Sequence, residues 1–364
     1  MVLYLNSDAF VRCINPIDEK TCKFAIGGKT AGSQFVSTWS VMIRNFSILA
    51  IVMLLLTEVP ENAMAGAVIS WRSVRVDTAG LPVTGPIYYY VYRDIIPSFQ
   101  PGQANFIVAT VDTFFTDTDA RLDDPSVHLF YAVKALDAYG NESAYSTKAG
   151  EVPFVLVTAR VWLQATYDVS ADTMTCSLKA LDLLPFIAPY SESRRHASSL
   201  PAQITDWVLL QLVRPNVPET VGATSFLLRN DGWICELDGV NTVLGITGVE
   251  PGLYHLVVRH RNHMAAISRQ TVWLQDGESR LFDFTADSSL YVKSRDACPI
   301  KENVWGLWSG DLNQDQAIDA DDYARWRSSA MVNASGYQAA DLNFDGLLNT
   351  RDYVIWYHNS RRQF

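Results

Sequence analysis

Apolar and polar positions alternate with a period of two along most of the chain, and that period predicts a mainly β protein. In IYYYVYRD, Ile87, Tyr89 and Val91 fall on one face of an extended strand, and Tyr88, Tyr90 and Tyr92 on the other. Tyr131, Val133 and Ala135 alternate similarly ahead of the turn-forming DAYGNES at 137–143. From 154 to 298 the runs FVLVTARVWLQATY, WVLLQLV, SFLLRNDGWICELDG and GLYHLVVRHRNHMAAIS continue the pattern. Asn230-Asp231-Gly232 and Leu237-Asp238-Gly239 separate apolar runs and signal hairpins. The stretch 185–201, rich in Ser, Pro and Arg, reads as an exposed loop. The period changes beyond residue 309, where Tyr323 and Trp326, then Tyr353, Val354 and Trp356, recur at helical spacing. The expected architecture is two β-sandwich domains, 66–152 and 154–298, the second Ig-like or related, followed by a small α loop-helix pair at 309–362.

One apolar run has no alternation. Arg44 precedes the apolar stretch 46–56, and Ala63-Met64-Ala65 follows it as a small-x-small site. This is the pattern of a secretory signal peptide starting at Met42 and cleaved after Ala65, giving a secreted or cell-surface protein. A membrane span needs about 20 apolar residues, so this run is too short for a stable anchor. Residues 1–41, with Cys13 and Cys22, then read as an over-extended start or a poorly ordered extension. After cleavage Cys176, Cys235 and Cys298 remain, an odd number that leaves one unpaired, and no CxxC spacing offers a zinc site.

Composition narrows the function classes. The 364 residues exceed one ordinary core, and 48% hydrophobic with 19% charged residues excludes a largely disordered chain. A net charge of −10 disfavours nucleic acid and anionic membranes as partners and suits cations.

Within 66–152, ISW at 69–71, YYVYRD at 89–94, FTDTDA at 115–120 and FYAVKALDAYGNESAYS at 130–146 occur in an order that resembles a bacterial fibronectin type III domain. The resemblance implies a seven-stranded sandwich. The stretch 95–103 departs from it as an insertion. The block 154–298 is similar to the β-rich module found ahead of dockerin-type repeats in some exported bacterial proteins. Asp112, Asp117, Asp119, Asp123 and Asp124 could form a cation site, but aspartate is favoured in turns because it bonds nearby main-chain N–H groups, and turn chemistry is the better reading. His255, His260 and His263 invite a zinc or carbohydrate-contact reading. On one strand His255 and His260 point to opposite faces, so the three converge only around a bulge, and structural or surface roles are expected.

The tail carries the sharpest chemistry. Calcium takes six to eight oxygen ligands, so a binding loop presents carboxylates and carbonyls at alternating positions of a sharply turning twelve-residue frame. In GDLNQDQAIDADDYARW, Asp311, Asn313 and Asp315 stand at loop positions 1, 3 and 5, the Ala317 carbonyl at 7, Asp319 at 9 and Asp322 at 12. In ADLNFDGLLNTRDYVIW, Asp341, Asn343, Asp345, the Leu347 carbonyl, Asn349 and Asp352 repeat the frame. The offset is constant (341 − 311 = 30, as for Tyr353 and Tyr323), which makes an accidental match improbable.

With Asp at position 12 and one helix after each loop, the region resembles a type I dockerin. That resemblance implies two calcium ions and attachment to a cohesin-like partner, while docking within the chain would leave no such role. Tyr323, Trp326, Tyr353, Val354 and Trp356 are expected to pack the two helices together, and Trp305 and Trp308 are candidates for an internal contact. Gln316 occupies position 6, where a positive φ favours glycine by about 1 kcal/mol, so the 341–352 loop is expected to bind more tightly. Asp321 beside Asp322 partly offsets this by adding negative charge. The positions dockerins use for partner choice hold Ala320, Asp321, Thr350 and Arg351 instead of paired small hydroxyl residues.

The leading functional reading is a secreted, non-enzymatic interaction protein concerned with extracellular assembly or polysaccharide binding. The competing reading is an accessory or fragment of a glycoside hydrolase, which needs two carboxylates facing across a cleft. Glu142, Glu236, Asp206 and Asp238 are available, but no nucleophile elbow, phosphate loop or HExxH accompanies them.

Overall fold

The computed structural model describes residues 10–14, 66–77, 81–124, 126–332 and 334–362. The expected signal segment 42–65 lies outside the described residues.

The first domain is two facing sheets, β1 (Phe10–Ile14), β2 (Gly66–Ser70) and β5 (Phe114–Asp117) in one, and β4 (Phe106–Thr110), β3 (Ile87–Asp94), β6 (Phe130–Asp137) and β7 (Ala149–Gly150) in the other. The alternation sorts the strands into two faces, and the inward one carries Tyr89, Val91, Tyr131, Val133 and Ala135, which pack on Ile69 and Trp71, while Tyr88 stays exposed. Phe10–Ile14 runs antiparallel to Gly66–Ser70, so these five residues pair with the domain instead of standing apart from it. The free edge of Gly66–Ser70 supplies the main-chain partners.

The second domain is built on a larger sheet of β13 (Ile234–Cys235), β12 (Thr220–Arg229), β11 (Ile204–Val213), β15 (Gly252–His260) and β16 (His263–Ile267), with β17 (Val272–Leu274) also pairing β15. A smaller sheet holds β14 (Leu244–Thr247), β8 (Phe154–Arg160) and β18 (Arg280–Asp283), with β8 and β18 parallel. The remaining short pairs are β9 (Tyr167–Asp168) with β10 (Thr173–Met174), and β19 (Ala297–Lys301) with β20 (Val304–Leu307). Ala297 and Leu307 join the same core as Trp207 and Phe226, so the domain runs past 298 to the start of the tail.

The stretch 185–201 is a largely exposed loop, as its composition suggests, but it is anchored to the domain. Ala188, Tyr190, Ala197 and Leu200 are buried with α1 (Ser177–Ala180) against the large sheet. The Tyr190 hydroxyl donates to the Trp207 carbonyl (3.0 Å) and the Trp207 indole to the Pro185 carbonyl (2.8 Å). Scattered apolar residues without periodicity were enough to cover a sheet face.

The insertion 95–103 fixes the two β-domains together. Ser98 donates to buried Glu236 (2.7 Å), Asn241 donates to the Ser98 carbonyl (2.9 Å), and Phe99 packs with Tyr92, Phe130, Phe154 and Leu156. Tyr92, on the face opposite Tyr89 and Val91, is buried for this reason.

Two helices, α2 (Ala320–Met331) and α3 (Thr350–Asn359), complete the chain. None of the described helices is long and apolar enough to cross a membrane. Cys176, Cys235 and Cys298 are all unpaired.

Candidate metal centre

The two tail loops have the same internal wiring. At the exit of each, the position-9 side chain caps the following helix by accepting from the main-chain N–H of position 11: Asp319 from Asp321 (2.9 Å), and Asn349 from Arg351 (2.8 Å). The closing aspartate reaches back over the loop. Asp322 accepts from the N–H groups of Leu312 (2.6 Å) and Asp319 (2.9 Å), and Asp352 from those of Leu342 (2.8 Å) and Asn349 (2.9 Å). Positions 3 and 5 are linked in both copies, Asn313 Nδ2 to Asp315 (2.8 Å) and Asn343 Nδ2 to Asp345 (3.1 Å). Position 6 has a positive φ in both, 68° at Gln316 and 81° at Gly346.

The copies differ at position 1. Both oxygens of Asp311 accept main-chain N–H groups, from Gln314 (2.7 Å), Asp315 (3.2 Å) and Gln316 (3.1 Å). The Asp341 carboxylate accepts from Gly346 alone among the described residues (2.9 Å), and its Oδ1 is buried without a partner. A buried carboxylate oxygen left unsatisfied is costly, and a cation at that point removes the cost. Burial, with the nearby Asp322 charge, pushes Asp311 up to about 7. Burial, opposed by the Gly346 N–H and reinforced by the Asp352 charge, pushes Asp341 up to about 6. Burial likewise raises Asp322 and Asp352.

The donor set is all oxygen and suits a hard cation. No three His, Cys, Asp or Glu side chains among the described residues are gathered around a common point. The loop carboxylates are aimed at N–H groups of their own loops; Asp311 Oδ1 and Asp322 Oδ1 each accept two, whereas Asp341 Oδ2 accepts one and keeps a second lone pair for a ligand bond. The predicted side chains are therefore brought into two matched loops, and the residues fit calcium by chemistry and by the orphaned Asp341 oxygen. Asp345 also lies 3.5 Å from exposed Arg351.

Sequence reasoning missed position 4. Gln314 and Phe344 there both have positive φ, 64° and 61°, and both point into the β-domain. Phe344 is fully buried in the core of the second domain, and Gln314 Nε2 donates to the His263 carbonyl (3.3 Å). With its amide oriented to satisfy both groups, Gln316 accepts from Ala265 N (2.9 Å) and donates to Ala265 O (3.3 Å). A phenylalanine inside an acidic, polar loop was the available signal.

The tail is thus seated on the second domain. Trp308 packs with Met264, Cys298 and Ile318, and Trp356 packs against this cluster, which is the internal contact expected of Trp308; Trp305 packs on the second-domain core. Asn262 Nδ2 donates to the carbonyls of Ala339 and Asp341 (2.9 Å each). Arg261 donates to the Gln338 carbonyl, and Tyr337 donates to Asp206 (2.7 Å), which also binds Arg261 (2.9 Å) and His260 (3.2 Å). Between the helices, Tyr323 stacks on Trp356 at 4.9 Å and Trp326 meets Tyr353 at 5.6 Å, as expected, whereas Val354 is exposed and outside that face.

The other candidates have structural partners. A register shift between Val258 and His260 places the His260 and His263 rings 4.8 Å apart, both buried, while His255 bonds the Ser268 carbonyl. In the first domain Asp117 binds Arg93 and Tyr131, Asp119 binds Arg93 and Arg121, and Asp124 accepts from Ser126. Of the carboxylates considered for glycoside hydrolysis, Glu142 pairs with Lys134, Glu236 with Ser98 and Arg195, Asp206 with Arg261, and Asp238 holds its own turn.

No family model matches the chain, and no curated protein matches it. Among solved structures, a C-terminal interface mutant of a type II cohesin–X-dockerin complex from Acetivibrio cellulolyticus is similar at 14% identity, over 56% of this chain and 94% of that one, with a TM-score of 0.29. An N-terminal interface mutant of the same kind of complex, from the same organism, is 13% identical over 57% of this chain and 94% of that one, with a TM-score of 0.27. At these scores neither likeness bears on the loops, whose assignment rests on their own residues.

Proposed function

We propose that the chain is an exported, modular interaction protein whose dockerin-like tail binds two calcium ions. The observation that carries the reading is the duplicated loop wiring, closed in each copy by a position-12 aspartate and, in the second, leaving the Asp341 oxygen without a partner. Asp311, Asn313, Asp315, Asp319 and Asp322 with the Ala317 carbonyl, and Asp341, Asn343, Asp345, Asn349 and Asp352 with the Leu347 carbonyl, would hold the ions. Calcium there supplies charge neutralisation and loop closure, so metal binding is folding free energy for the tail.

The partner is a cohesin-like protein or the chain's own β-domain. Ala320, Asp321, Thr350 and Arg351 are all exposed at the helix starts, which keeps an outside partner within the reading while the opposite side of the tail is occupied. The fibronectin-like domain, the signal segment and a role in polysaccharide-related assembly belong to the same proposal and rest on sequence patterns. Calorimetric titration of calcium into chelator-treated protein, beside Asp341→Ala and Asp311→Ala, tests it. Two binding events, the tighter lost with Asp341→Ala, support the reading, and no calcium-dependent heat at millimolar calcium, the weak end for extracellular sites, removes it.

A further inference from the structure

We propose that calcium binding by the loops and seating of the tail on the second β-domain are one coupled equilibrium, with Asn262 as the shared positioning residue. The inference rests on the reading that the loops bind calcium and deepens it by assigning the regulation of that site.

Asn262 sits in the turn between Gly252–His260 and His263–Ile267 and is fully buried. Its main-chain carbonyl accepts from the Gly310 N–H (2.8 Å), the residue just before position 1 of the first loop. Its side-chain amide donates to the carbonyl of Asp341, position 1 of the second loop, and to Ala339 (2.9 Å each). One residue that carries no ligand thereby sets the entry of both loops.

The non-ligand loop positions extend the coupling. Phe344 enters the β-domain core from position 4, and Gln314 and Gln316 bond the main chain of His263 and Ala265 from positions 4 and 6. His263–Ile267 ends the strand order of the large sheet, so these glutamines cover an open edge. Undocking would free that edge and expose Phe344, while releasing the main chain at both position-1 aspartates. A loop whose ligand-bearing conformation is held by docking binds calcium more tightly when docked. By reciprocity calcium then strengthens docking by the same factor, and couplings of this kind typically span 5–150-fold.

Two measurements on the full chain test this. The first compares amide hydrogen exchange across 262–267 in saturating calcium and after chelation, and the expected result is lost protection on chelation, although none of these residues is a proposed ligand. The second is calorimetric calcium titration of Asn262→Ala, for which affinity at both loops should fall about tenfold or more. Calcium binding by the unaltered chain with exchange at 262–267 indifferent to calcium overturns the coupling while leaving the calcium reading intact, and so does unchanged affinity in a folded Asn262→Ala. Absence of calcium binding by the unaltered chain overturns both. Should Asn262→Ala fail to fold, the exchange comparison on the unaltered chain decides alone.

Discussion

Phe344 stacks on His260, ring centroids 5.6 Å apart and planes inclined by 29°, so a residue of the second tail loop and a β-strand residue share one buried contact. Arg261 lies over the other neighbours of this contact, 4.6 Å from the Phe344 ring and 4.4 Å from Tyr337. The loop-helix pair has a small apolar core of its own around Leu312, Ala340 and Leu342. Much of its burial is therefore borrowed from the domain beneath it.

Truncating Phe344 should show how much. The ring is fully buried, and phenylalanine-to-alanine changes in cores cost about 3–5 kcal/mol. Phe344→Ala is expected to lower the denaturation midpoint of the full chain by that order, measured in saturating calcium so that loop occupancy is constant. A loss under about 1 kcal/mol would mean that the contact contributes little to docking.

Gly346→Ala should weaken the second loop. Gly346 has φ 81°, and an added Cβ would lie 2.7 Å from Leu183 Cδ1 and 3.4 Å from Leu181 Cδ1. Positive φ costs a non-glycine residue about 1 kcal/mol, and the leucine methyl must also move. Since 1.4 kcal/mol is tenfold in affinity, a five- to tenfold loss of calcium affinity at this loop is expected by calorimetry. Equal affinity in variant and parent would remove the argument that Gln316 makes the first loop the weaker.

Gly245→Ala should loosen the junction of the β-domains. A Cβ there would stand 2.3 Å from Pro97 Cγ and 3.2 Å from the Ser98 N–H nitrogen, inside the contact made by the insertion 95–103. Overpacking of this kind costs about 1–3 kcal/mol. Faster proteolytic cleavage within 95–103 is the expected readout, and unchanged cleavage would show that the junction accommodates the methyl group freely.

The period of two in the sequence sorted Ile87–Asp94 into two faces, and Tyr89 and Val91 share the buried one because they obey the elementary geometry of a strand. The duplicated twelve-residue frames were equally legible as a pattern, because the same residue types recur at the same positions 30 residues apart. Phe344, Gln314 and Asn262 were not, since their roles depend on which surface the tail meets, and no local pattern encodes that. The burial of Tyr92 and the anchors within 185–201 were not legible for the same reason: their partners lie far along the chain. The His260–His263 contact required a bulge that alternation does not reveal.

Acid and base should act on the seated tail in opposite senses. Asp206 is fully buried, which alone would raise its pKa, but the Arg261 charge and the bonds from His260 and Tyr337 outweigh burial and hold it at about 2. A carboxylate with a lowered folded pKa contributes stability that is present above its unfolded value near 3.9 and lost as pH falls through about 2. Asp311 and Asp341 behave inversely in calcium-free protein. Raised to about 7 and about 6, they contribute stability below the unfolded value that disappears as pH rises through the folded values. From these carboxylates alone the calcium-free chain gains stability up to about pH 4–5 and loses it above, while buried His260 and His263, whose pKa values burial holds down, add stability as pH rises toward the unfolded value near 6.5 and offset part of that loss. Saturating calcium favours the ionised loop carboxylates, so it should abolish the loss between pH 5 and 7 and leave the acid limb unchanged. Melting temperatures from pH 2 to 8, with chelator and with calcium, check this. An alkaline limb that persists in calcium would separate those carboxylates from metal binding.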